Sequence, residues 1–142
     1  MKWLRTASWV LLLIVGLAVL GFSLLSANVA YRETYPVGGV SITDIASGRE
    51  VVLLGLRGVR GTAAAWAAAW AALFLSVVLG PYRRGDVASW WGILASALVF
   101  AAVTALRVPL LGMSAGTGTA LVLLVLVIVA LLLDVRRLAG PR

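Results

Sequence analysis

The chain is predicted to be an all-α integral membrane protein: four transmembrane helices in an antiparallel bundle, with an extramembrane loop and an interfacial helix between the first two. Three observations carry that reading. Hydrophobic residues make up 63% of the 142 residues and charged residues only 12%. The apolar residues gather into four stretches, each close to the ~20 residues a helix needs to cross the hydrocarbon core. No charged residue stands in the body of any stretch. A soluble domain this small exposes too much of its area to hide such a surface, so lipid is the expected solvent. The length suits one domain, residues 1–142.

The first span covers about residues 8–26. Lys2 and Arg5 precede it, as in a signal peptide. The apolar run is longer than a signal core, and no small-x-small cleavage site follows, so the segment is expected to stay. The second span covers 61–80, the third 87–106 and the fourth 115–133. Backbone groups in lipid must be satisfied within the segment, which makes all four helices. The short turn from Pro81 to Asp86 forces an antiparallel pair, and Pro109 with Gly112 stops the third helix.

Faces follow from the small residues. Ala63, Ala67 and Ala71 recur at spacing four, as do Ala64, Ala68 and Ala72, and Ala88, Gly92 and Ser96 make a comparable row on the third span. Such rows let backbones approach closely, so the second and third spans are expected to pack along them. The fourth span from Leu121 to Leu133 is nearly all Leu, Val and Ile, a surface suited to lipid or to another membrane protein. Trp3, Trp9, Tyr82, Trp90 and Trp91 fall near span ends and read as an interfacial aromatic belt.

The loop 28–60 holds most of the polar variety. Gly38-Gly39 between apolar residues suggests a small hairpin. Ser47-Gly-Arg-Glu50 matches a capping box, so a helix is expected to start near Gly48. Run unbroken to Leu79 it would be about 48 Å long, more than the bilayer core, and Gly55, Gly58 and Gly61 mark the expected bend. Arg57 and Arg60 stand among those glycines, with Arg49 and Glu50 nearby in helical projection. Three roles are open: Arg57 and Arg60 snorkel to headgroups, or with Arg49 form an anion or lipid-headgroup site, or Arg57 makes an ion pair with Glu50. The glycines are no phosphate loop, because the G-x-x-x-x-G-K-[ST] spacing is missing. Asp86 and Asp134 are expected to pair with their neighbouring arginines.

Several chemistries are excluded. Cysteine and histidine are absent, which removes thiolate, disulfide and Cys/His metal chemistry. The only lysine is Lys2, so no Schiff base forms within the membrane. No acid/base pair or activated nucleophile is visible, so no catalytic residue, cofactor or metal is assigned. The net charge of +7 suits anionic headgroups rather than nucleic acid. Coupled carriers need ionisable or polar clusters near the midplane, whereas these spans offer only Ser23, Ser76, Ser96 and Thr104. The outline resembles the small multidrug transporters, which carry a glutamate in the first helix. No acid stands in the first span here, so the likeness stops at the functional residue.

Lys2, Arg5, Arg83, Arg84, Arg136, Arg137 and Arg142 fall on one side, and Arg32, Arg49, Arg57, Arg60 and Arg107 on the other. Positive charge favours the cytoplasm, which places both termini there. Alanine- and arginine-rich composition suggests a bacterial cytoplasmic (inner) membrane. The expected function is that of a non-catalytic accessory, assembly or scaffold subunit, with a membrane-protein partner or a second copy docked on its apolar faces. The alternative is a carrier or binder of an apolar or anionic lipid-like ligand, with Arg57 and Arg60 at an outer mouth.

Overall fold

A computed structural model describes residues 2–112 and 116–139. The chain is almost wholly helical. Helix α1 spans Lys2–Arg32, a hairpin pairs β1 (Pro36–Val37) with β2 (Val40–Ser41), and α2 is the short Ile42–Ala46. Helix α3 runs Glu50–Val77 into a π-helical turn at Val78–Tyr82. Helices α4 (Val87–Ala105), α5 (Arg107–Leu111) and α6 (Thr117–Leu133) follow, and a 3₁₀ turn at Val135–Ala139 ends the described chain. Three helical stretches are long and apolar enough to cross a membrane: Trp3–Arg32, Glu50–Tyr82 and Val87–Leu110. Helix α6 is apolar but shorter, at 17 residues. The expected span start at Ala115 lies outside the described residues.

Two compact units divide the chain: Leu17–Leu73 forms one, and Met1–Gly16 with Phe74–Arg142 the other. In the second of these, α4 packs on α6. The α4 face is Ser89, Trp90, Ile93, Ala97 and Ala101, and the α6 face is Ala120, Val127, Ala130 and Leu131. Alanines at both ends of the α6 face bring the two backbones near one another. Helix α6 is therefore two-sided rather than uniform, with Leu121, Val122, Val125, Val129 and Leu132 turned outward.

The helix boundaries correct several expectations. Helix α1 extends from before Ser8 to beyond Ser26, because Asn28 alone does not stop a helix and no proline comes before Pro36. The hairpin forms as expected: Gly38 and Gly39 both have positive φ, +60° and +87°, as a two-residue primed turn requires. The Ser47 capping box does not form. Ser47 instead closes α2 in the left-handed conformation, and its Oγ donates to the Asp44 carbonyl. Helix α3 passes through Gly55, Gly58 and Gly61 without interruption. Its irregularity comes at Pro81, which lies inside the helix; lacking an N–H, it cannot bond Val77, and the turn widens to π. Pro109 does not halt the third helix at its own position. Its ring bars the carbonyl of Ala105, four residues back, so α4 ends there and α5 carries Pro109 in its first turn.

Candidate functional site

In the unit Leu17–Leu73, Arg60 is committed to structure. Its Nε donates to Ser26 Oγ at 3.3 Å, and its guanidinium lies 4.1 Å from the centre of the Tyr35 ring. Tyr35 is buried and its hydroxyl donates to the Leu56 carbonyl at 2.8 Å. The Tyr35 carbonyl in turn accepts from Ile42 N–H, which ties α2 to the same point. Arg60 and Tyr35 thus clasp the hairpin segment and the C-terminal part of α1 onto α3. Arg57 is half-buried on the same side of the helix, and its Nε is buried with no hydrogen-bond partner. Arg49 and Glu50 are both exposed, and with Thr43, Ala46, Gly48 and Leu53 they line a shallow pocket. The three arginines named from sequence therefore differ: one clasped, one partnerless at Nε, one exposed.

The small-residue rows are only partly packed. The buried positions on α3 are Gly61, Ala64, Ala71 and Phe74, continuing through Val78 and Tyr82 in the π turn. Ala71 is in that series, Ala67 is half-buried and Ala63 is exposed. Gly61 has a clear reason: a Cβ there would run into the Tyr31 ring. On α4, Gly92 is exposed with open space where a Cβ would stand, and Ser96 donates to its own helix at the Ile93 carbonyl. The row Ala88, Gly92 and Ser96 is thus not the face that meets α6.

The other unit carries a polar cluster that sequence reasoning placed on the lipid. Tyr82 is fully buried and Trp90 is 6% exposed, whereas Trp3 and Trp91 stay open. Ser8 Oγ donates to the Ala130 carbonyl at 2.7 Å and lies 2.6 Å from Tyr82 OH. A serine has one O–H, so Tyr82 is the donor in that second bond. Trp90 Nε1 donates to the Leu131 carbonyl at 3.1 Å. Residues Ala130 and Leu131 lie in the last turn of α6, where backbone donors run out. The Asp134 N–H bonds the Leu131 carbonyl, which takes Trp90 as a second donor, while Ser8 of α1 supplies the Ala130 carbonyl. The available signal was the polar tip of tyrosine and tryptophan, which seeks a partner when buried.

Asp86 caps α4, accepting from Ser89 N–H at 2.8 Å and from its hydroxyl. Asp134 is buried at the end of α6. Arg83 lies over the Trp9 ring at 4.9 Å, and Arg5 Nη2 donates to the Arg83 carbonyl at 2.9 Å. No family model, curated protein or solved structure matches this chain.

Proposed function

We propose that the chain is a small non-catalytic integral membrane protein that docks other membrane proteins as an accessory, assembly or scaffold subunit. In this reading α6 is a fourth span, since its 17 residues reach the lower limit for crossing the core. The four spans run antiparallel in a bacterial cytoplasmic membrane, with both termini in the cytoplasm. The observation that carries the reading is how the hydroxyls within the apolar helices are used. Ser23 donates to Val19, Ser96 to Ile93 and Thr104 to Phe100, each a carbonyl of its own helix. These three O–H groups are spent on local backbone, which supports a docking role over the handling of a polar cargo. The outward Leu and Val face of α6 is then a surface for association. Val125→Asn with Val129→Asn should release a co-purifying membrane partner while the chain stays folded. Retention of every partner by this folded variant would contradict docking through α6.

A second reading rests on Arg57. A buried guanidinium nitrogen without an internal partner suits an external anion, which keeps a lipid-like ligand at the Arg57/Arg60 mouth in view. Arg57→Gln is the clean test, because Arg60 also holds the fold. Loss of one bound anionic lipid from folded protein would support it, and unchanged lipid content would exclude it.

A further inference from the structure

We propose that the pocket lined by Arg5, Thr6, Trp9 and Arg83 binds the phosphate of an anionic phospholipid headgroup. The pocket measures about 400 Å³ and lies wholly within the unit that holds the start of the chain. Two guanidinium groups line it. The partners they have are a carbonyl for Arg5 and an indole ring for Arg83, neither of which carries a formal charge. Asp86, the acid nearest in sequence, caps α4 through its Oδ2. Two cations brought to one pocket repel each other unless an anion joins them, and Arg-phosphate contacts are among the stronger hydrogen bonds.

The site is shaped before any anion arrives. Arg5 is fixed by its bond to the Arg83 carbonyl, beside Gly85. Gly85 has φ +101°, and a Cβ there would stand 2.9 Å from Arg5 Nη2, so glycine both makes the turn and leaves room for the guanidinium. Arg83 rests its face on Trp9, which leaves its in-plane N–H donors available. The location selects a lipid over a soluble anion. Arg5 precedes the long apolar run of α1, and Arg83 follows the end of the apolar stretch Glu50–Tyr82. Both stand where headgroups meet a bilayer-spanning helix, with a tryptophan of the kind that sits at that level. This inference depends on membrane insertion and not on docking through α6.

The test is native mass spectrometry of the full chain from micelles with equal phosphatidylglycerol and phosphatidylcholine, with inorganic phosphate added in a parallel arm. One phosphatidylglycerol should be retained in preference to phosphatidylcholine and should resist millimolar phosphate. Retention should weaken about tenfold in Arg83→Gln and further in Arg5→Gln/Arg83→Gln. Arg107→Gln and Arg57→Gln, outside the pocket, should keep this lipid. Arg83 contributes only its ring contact to the fold, so the single variant remains readable if the double variant fails to fold. Full retention by Arg83→Gln would overturn the proposal. Displacement of the lipid by inorganic phosphate would overturn the lipid as the source and assign a soluble anion instead.

Discussion

Each of the two units is clasped by one buried tyrosine, and the two clasps use different partners. Tyr82 works through a second hydroxyl: its own reaches Ser8, which passes a bond to Ala130 at the end of α6. Tyr35 works beside a charge: its hydroxyl reaches the Leu56 carbonyl while its ring lies under Arg60. The difference follows from what each must satisfy. The Tyr82 clasp orients the Ser8 hydroxyl that serves the Ala130 carbonyl, left over at a helix end. The Tyr35 clasp holds a hairpin and a short helix against α3, and there a guanidinium can bridge a hydroxyl and an aromatic face.

This comparison can be broken by substitution. The largest effect is expected from Tyr82→Ala, which removes a fully buried ring and the hydroxyl bonded to Ser8; it should cost about 3–5 kcal/mol, read by denaturant unfolding in micelles. Gly61→Ala comes next. Its methyl meets the Tyr31 ring and should cost about 1–3 kcal/mol in the same assay. Gly55→Ala and Gly58→Ala stand in open space on the same helix and should instead stabilise it by up to about 1 kcal/mol. The smallest effect is expected from Tyr35→Phe, which keeps the ring under Arg60 and removes one hydrogen bond, for about 1 kcal/mol. A larger loss in Tyr35→Phe than in Tyr82→Ala would mean that the Tyr35 clasp, not the Tyr82 clasp, carries the fold.

Much of the helical plan was legible in the sequence, since length and apolar content mark membrane-crossing helices directly. The hairpin was legible too, because two adjacent glycines leave few other conformations. The packing faces were not. In α3, positions 63, 64, 67, 68, 71 and 72 are all alanine, so no contrast in size marks which stripe is inward, and the buried series Gly61, Ala64 and Ala71 takes one alanine from each of the two spacing-four rows. Trp90 and Tyr82 were misread as a belt because a polar tip serves a headgroup or a helix-end carbonyl equally well. The Ser47 motif failed because a short helix ends where the capping box was to begin. At the candidate sites, sequence identified Arg57 and Arg60 but not their unequal fates, which depend on Ser26 and Tyr35, distant along the chain. The Arg5 and Arg83 pocket needed 78 residues of separation to be closed, beyond the reach of any local pattern.

The measurement that bears most directly on function is native mass spectrometry of the tagged chain after gentle extraction from its own membrane. A stoichiometric complex with another membrane protein, dispersed by Val125→Asn with Val129→Asn, is the predicted result. A lone chain, in a preparation where other membrane complexes stay intact, would contradict the account.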